Sequence, residues 1–526
     1  MATKLDMVLL YTASGNTLQT DFQAKAKEVI LAEKAGTSGD LAIPNISGIV
    51  SLGHTEAAGT KQMVNGTEYT VASAHNEDGT VAAEGEHDVL QITINGVDPK
   101  AIWNFAFAVA PQHYYAEGHN VDIANNEFGV DFGSYDFMTK EIQSTRNIQV
   151  PMGAGAYVAT NYDNGDNPNG NAFYKDNVVY FKSNENFLLG KPNIDKVRYQ
   201  VVSSTDALNV LETGAVHFVT PQFTPNNIDK INKLAGKGIQ KASTDQLGYG
   251  YIGINAEKIP DINLRKAIMS AMDTSLAMTY YSTGTAEKIY WPMSTVSWAY
   301  PKDESGKPSM DNGHDYPAIN FSDAAAKAAI QDYMAAAGVS AGDSKLTLRF
   351  TIAGSNLTDH PTYNTFLKAA TLLNECGWNV EVVADSNALT KLSTGSLAVW
   401  AAAWSSALDP DLYQVYHQDS TATSTLAWGY NYLKTSGTAE EMAILNKLSD
   451  LIDDARETND KAVRADLYQD AMEQILELAV ELPVYQRSVL YAFNSKVINA
   501  ASMPAESEMN PYSSPLDRIW EIEFAG

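Results

Sequence analysis

The sequence predicts an α/β protein of more than one domain, and three observations carry that prediction. At 526 residues the chain is too long for one hydrophobic core, so two or three domains are expected. Its 44% hydrophobic fraction is that of a folded globular protein. Between residues 255 and 487, apolar runs of strand length alternate with longer stretches of helical period. That is the pattern of mixed or parallel sheets covered by helices.

The elements follow in order. Residues 1–90 are polar and rich in Gly and Thr, and within them 21–36, DFQAKAKEVILAEKAG, reads as an amphipathic helix ended by glycine. Residues 84–95, EGEHDVLQITIN, alternate toward their end and predict a strand. An apolar helix is expected over 101–109, closed off by Pro111. From residue 150 strands are predicted at 156–161, 177–181 and 196–202, then a helix at 205–212 and a short strand at 216–219. Helices are predicted at 264–281, 322–337, 363–376, 440–457 and 460–478, with strands at 346–352, 379–383, 398–403 and 489–494. No internal repeat or low-complexity linker is present.

Composition excludes several roles. A net charge of -27 disfavours nucleic acid, whose phosphates need clustered Lys and Arg. The same charge suits solubility in a crowded or salty exterior. The single cysteine, Cys376, rules out an internal disulfide and any multi-Cys metal site, and it reads as a buried structural thiol. No apolar run reaches the roughly 18 residues that span a bilayer. The first residues, MATKLDMVLLYTAS, lack the pattern of a signal peptide.

Catalytic motifs are missing too. There is no Gly-x-Ser-x-Gly elbow, no His-Glu-x-x-His and no phosphate-binding Gly-x-x-x-x-Gly-Lys. Gly153-Ala154-Gly155 does not complete a dinucleotide fingerprint. The nine histidines are scattered, and His113 and His119, the closest pair, have no carboxylate at ligand spacing. No enzyme, cofactor or metal is expected.

The segment 400–417, WAAAWSSALDPDLYQVYH, stands out. An apolar strand-like run ends in Trp404, Ser405 and Ser406, turns at Asp409-Pro410-Asp411, and opens into an aromatic helical stretch. Delivering an aromatic ring and hydroxyls to a turn suits the wall of a ligand pocket better than a catalytic centre. A second segment, LGYGYIGIN at 247–255, sets Gly248 and Gly250 among Tyr249 and Tyr251. It reads either as a bendable stretch offering aromatic faces or as a buried strand that happens to contain glycine.

Several stretches, in this order, resemble one family. They are VPMGAGAY at 150–157, VYFKSNENF at 179–187 followed by Gly190-Lys191-Pro192, and ALNVLETGAVHF at 207–218, where His217 replaces the usual aspartate. Next come Ile254-Asn255 with LRKAIMSAMD at 264–273, the helix that ends in Ala337-Gly338, and RADLYQ at 464–469 followed by LPVY at 482–485. Their ordered occurrence resembles the extracytoplasmic solute-binding proteins of peptide- and nickel-type ABC importers, family 5.

The resemblance implies a two-lobed, periplasmic-binding-protein-like α/β fold of class II type with a small accessory domain. The family's opening strand-rich stretch is not found, so the N-terminal strands of the first lobe are expected to be missing. Residues 1–146 would hold the accessory domain and part of lobe 1, 147–252 lobe 1, 253–487 lobe 2, and 488–526 a return to lobe 1. Two crossings between the lobes are expected near 247–255 and 483–490, acting as hinges. The implied activity is capture of an extracellular solute, peptide first, and its delivery to the transmembrane subunits of an ABC permease. The protein would act as a monomer, outside the cytoplasm and tethered to the outer face of a Gram-positive membrane in a longer form. An oligosaccharide or other uncharged organic solute is the alternative ligand, and an extracellular hydrolase or sensory domain the remoter alternative.

By the same resemblance Trp404 would form the pocket wall, with Ser405 and Ser406 as hydrogen-bonding groups. Tyr249, Tyr251, Tyr413 and Trp428 would add aromatic surface, although Tyr413 and Trp428 fit core packing behind the pocket as well. Peptide binders of the family place an aspartate three residues after the tryptophan to hold the ligand's ammonium, and here Ala407 stands there. Asp409 is then either the substitute anchor or a turn former before Pro410.

Overall fold

The computed structural model describes residues 150–526, apart from 204, 355 and 506. Of the earlier chain it describes 46–54, 61–64, 67–70, 88–94, 97–104, 110–120, 122, 129 and 136–142. The chain divides into two compact units, Met1–Met152 and Gly153–Gly526. The helix expected at 21–36 and the end of the one expected at 101–109 lie outside the described residues.

In the first unit β1 (Ile46–His54) pairs antiparallel with β4 (Asp88–Ile94), and β2 (Lys61–Val64) with β3 (Thr67–Thr70). Only β4 had a readable sequence signal. The helix Ala101–Asn104 covers the start of the predicted one. Near the unit's end Tyr114 donates to the Val150 carbonyl at 2.7 Å, and the Tyr115 hydroxyl bonds both N–H and C=O of Met152. His119 lies 2.8 Å from Glu141, a partner 22 residues away that local spacing could not reveal.

The described residues of the second unit form two sheets. The smaller is built on β7 (Val178–Ser183), which pairs with β5 (Tyr157–Ala159), β6 (Tyr174–Lys175) and β8 (Lys196–Gln200). The larger is mixed. Its members are β9 (Phe218–Val219), β10 (Ile239–Ile254), β11 (Ala286–Lys288), β12 (Thr347–Ala353), β13 (Asn379–Asp385), β14 (Val399–Ala403) and β15 (Glu481–Asn494). The order is β11-β15-β10-β14-β12-β13, with β9 also on β15. Pairs of β12 with β13 and β14 are parallel and the rest antiparallel.

Strand alternation sorts this sheet's residues onto two helix-covered faces. Ile252, Ile254, Val399, Ala401, Leu482 and Val484 join a core with the helices Ile262–Ser270, Asp323–Ala336 and Tyr363–Glu375. Tyr249, Tyr251 and Trp400 point the other way, into a core with the helices Ala439–Arg456 and Lys461–Leu478. A third, smaller core holds Leu208, Leu211, Phe223, Ile231 and Leu234, together with Ile239 from the start of β10 and Leu490 and Ala492 from the end of β15. The two longest strands thus each run from one core to another.

Their mutual ladder is broken midway. Asp245 pairs with Ser488 and Tyr249 with Gln486, so Gln246, Leu247 and Gly248 have no opposite residue. A second slip follows between Gly250 and Tyr251. Such irregularities bend a strand and raise its twist.

Most predicted helices have the ends their caps dictate. Ser322, Thr438 and Asp460 each accept hydrogen bonds from backbone N–H groups of the first turn, and Thr438 with Glu441 forms a reciprocal capping box. The predicted helix at 264–281 is instead two elements. It stops at Ser270, and a 3₁₀ stretch, Thr274–Tyr280, follows. The cause is Asp273, whose carboxylate accepts from the Ser275 N–H and pairs with Lys368 at 3.1 Å, starting a new element in place of continuing the old one. Cys376 is buried and free, and burial pushes its thiol pKa up.

Candidate ligand-binding site

β14 ends at Ala403, beside the break in the β10 ladder. There the Trp404 N–H donates to the Tyr249 carbonyl at 2.9 Å. The Trp404 carbonyl oxygen crosses Gly248 so closely that a Cβ at that position would lie 2.0 Å from it. Gly250 is equally tight, because an added Cβ would lie 2.2 Å from the Tyr485 ring. These two glycines are therefore explained by close approach of a neighbouring loop and ring, not by a need to bend.

The loop that follows faces outward. Trp404 is part-buried, Ser405 and Ala407 are exposed, and Ser406 is half-buried. The Trp404 indole stacks on Tyr251 with centroids 4.8 Å apart and planes 5° from parallel, and meets Trp428 edge-on at 6.2 Å. Tyr249 and Tyr251 are themselves 4% and 2% exposed and Trp428 fully buried, so they support Trp404 from behind and offer no free face. Trp428 donates its indole N–H to the Val415 carbonyl at 2.9 Å and stacks between Trp400 and Tyr416. Tyr413 is likewise buried, stacked on His417 at 4.1 Å and under the Arg456 guanidinium.

Asp409 has a definite partner. The Arg464 guanidinium, 4% exposed, grips both of its carboxylate oxygens at 2.7 and 3.1 Å. Arg464 also donates to the Ala455 carbonyl and the Tyr468 hydroxyl. A bidentate charged bond of this kind ties the turn to the helix Lys461–Leu478. Asp409 is thus more than a turn former before Pro410, and its charge is already neutralised. A second buried pair, Arg265 with Glu441 at 2.7 Å, joins the helices Ile262–Ser270 and Ala439–Arg456, and Arg265 further donates to the carbonyls of Ile259, Pro260 and Leu478.

One residue of the site has no sequence signal at all. Glu481, the first residue of β15, is completely buried. Its carboxylate accepts from the Tyr249 hydroxyl at 2.7 Å, the Tyr416 hydroxyl at 2.9 Å and the Trp404 indole N–H at 3.1 Å. No Lys, Arg or His lies within ion-pair distance of it among the described residues. Burial pushes its pKa up to about 7, the three donors offsetting part of that rise. A glutamate ahead of LPVY looks like a strand end in solvent. Only the fold brings together its partners, which lie 65 to 232 residues away.

Among the described residues no group of three His, Cys, Asp or Glu side chains could hold a metal ion, and no helix is long and apolar enough to cross a membrane.

Comparison with known proteins gives concordant results. The profile "Bacterial extracellular solute-binding proteins, family 5 Middle" matches residues 57–425. The oligopeptide-binding protein AppA of Bacillus subtilis (strain 168) is 26% identical over 201 residues, 37% of this chain and 31% of that protein. The matched stretch is therefore less than a third of that relative's length. The solved structure of Bacillus subtilis AppA with a nonapeptide superposes with a TM-score of 0.57 at 19% identity, covering 85% of this chain and 78% of that one. The ABC transporter substrate-binding protein CtaP of Listeria monocytogenes also gives 0.57, at 18% identity over 86% and 79% of the two chains.

Proposed function

The chain belongs to the bacterial extracellular solute-binding proteins of family 5, and from that premise we propose that it captures an organic solute, peptide foremost, for an ABC importer. The solute is taken up between two lobes joined by β10 and β15, and handed as cargo to the permease's transmembrane subunits. The protein works outside the cytoplasm as a monomer, held at the outer face of a Gram-positive membrane, without catalysing a reaction. The observation that carries this reading is the loop 404–407. A supported aromatic ring and two available hydroxyls emerge beside the broken ladder of the two strands that join the cores.

Trp404 is read as the apolar wall, and Ser405 and Ser406 as groups that bond the ligand's backbone or hydroxyls, in a pocket wet enough to tolerate varied side chains. Tyr249, Tyr251 and Trp428 act indirectly, by fixing that wall, and Tyr413 packs in the core behind it. A specific observation favours a second ligand class. Ala407 offers no charge, and Asp409 is occupied by Arg464, so a zwitterion's ammonium has no free carboxylate on this loop. An uncharged solute such as an oligosaccharide stacked on Trp404 is the rival.

Thermal-shift screening against pools of di- to pentapeptides and of oligosaccharides separates the two, since a ligand of the folded state raises the melting temperature by mass action. A shift with glycans alone would overturn the peptide reading. Trp404→Ala should weaken the ligand found more than tenfold, and unchanged affinity would remove Trp404 from the pocket.

A further inference from the structure

Glu481 is an anomaly that the scaffold alone does not require. An isolated ionised carboxylate in a protein interior costs several kcal/mol unless it is paired or richly hydrogen-bonded. Here the compensation is three donors and no cation. Two of them, Tyr249 and Tyr416, belong to the buried aromatic core, and their hydroxyl oxygens lie 2.9 Å apart while both donate to Glu481. The third is the indole N–H of Trp404, the one member of the cluster that is part-exposed and sits at the head of the outward loop.

The geometry fixes the indole from two directions. Tyr251 covers one face of the ring, which restrains its tilt but not rotation within the stacking plane. A hydrogen bond to the ring edge supplies the missing constraint, and a bond to an ionised acceptor is about twice as strong as one between neutral groups.

We propose that Glu481 is the positioning residue of Trp404: its buried carboxylate holds the indole in the orientation presented to the ligand, so that one proton governs how firmly the pocket wall is set. The proposal rests on the reading of Trp404 as that wall. The ionised form accepts all three bonds. Protonation turns one oxygen into a donor and weakens the hold on the indole.

The titratable groups around Glu481 are Tyr249 and Tyr251 from β10, Tyr416 from the helix Tyr413–Tyr416, and Tyr430 beyond the helix Thr423–Trp428, each with its pKa raised by burial. None of these hydroxyls gains or loses a charge near neutrality. His417, next to Tyr416 in sequence, is engaged with Asp453 at 3.3 Å, and Arg464 with Asp409. A transition near neutral pH at Trp404 is therefore assigned to Glu481.

The test is ¹⁵N-indole labelling of the whole protein, with the Trp404 signal identified by its loss in Trp404→Phe. That signal should move with pH with a midpoint near 7 in the native protein and stay flat in Glu481→Gln. Affinity for a pentapeptide pool should be several-fold stronger at pH 8 than at pH 6, and Glu481→Gln should bind more weakly and without that pH dependence. Glu481→Asp, too short to reach the indole, should not restore tight binding. A Trp404 signal that is silent between pH 5.5 and 8.5, or that titrates unchanged in Glu481→Gln, would overturn the proposal. So would native affinity that ignores pH while the signal titrates. The native-protein titration needs no variant to fold and no ligand. If no peptide binds at any pH, the peptide reading falls while the indole signal still decides the role of Glu481.

Discussion

At the scale of single residues, the decisive fact about Asp409 is its partner. A carboxylate five residues after Trp404 invites a role as ligand anchor, but its side chain is 7% exposed and both oxygens are held by Arg464. Removing one member of such a pair leaves the other charge buried and uncompensated, at about 3–5 kcal/mol. Asp409→Ala should therefore lower stability to chemical denaturation by roughly that amount. The ligand affinity of the molecules that remain folded should change less than twofold. A variant of unchanged stability that no longer binds ligand would return Asp409 to the pocket. Ser405, by contrast, is exposed, and Trp404 is part-buried at the head of the same loop. Glu481 was illegible for a physical reason. Nothing adjacent in sequence distinguishes a solvated glutamate from one that will be enclosed by two tyrosines and a tryptophan from distant segments.

At the scale of elements, helices with polar caps and period-3.6 cores could be read almost to their ends, because the signals that start and stop them are local. Asp273 shows the limit: the apolar period runs on past it, and the side chain's own bonds break the helix. β10 and β15 were legible only in part, since each changes its core midway and so carries no single alternation along its length. Their broken ladder has a measurable consequence. With no partner residue across from Gln246, Leu247 and Gly248, these amides should exchange with solvent markedly faster than those of 250–254 in hydrogen-exchange mass spectrometry. A bound solute that closes the lobes should slow exchange over 246–248 more than elsewhere in β10. Uniform protection along β10 with and without ligand would mean that these strands do not act as hinges.

At the scale of the whole molecule, acidity and burial combine in a pH dependence whose sign can be worked out. The chain carries 63 Asp and Glu against 36 Lys and Arg, so its self-repulsion grows as carboxylates ionise. Partly and fully buried histidines act on the acid side. Burial lowers the pKa of His360 to about 4 and also lowers those of His314 and His417, so these groups add stability as pH rises toward the ordinary histidine value. Glu481 works the other way. Its pKa is raised from 4.5 to about 7, so the folded state holds a proton that the unfolded state releases. Its contribution is full below the unfolded value and lost as pH rises through the folded one. The loss amounts to roughly 3 kcal/mol in total, at about 1.4 kcal/mol per pKa unit. Comparing the native protein with Glu481→Gln cancels the histidines and nearly all of the net charge, leaving this one group. The difference in unfolding free energy should move by about 2.5 kcal/mol in favour of the variant between pH 5 and pH 8, most steeply from 5 to 7. A difference that stays flat over that range would mean that Glu481 ionises in the folded protein as it does in the unfolded chain, and that the three donors compensate its burial completely.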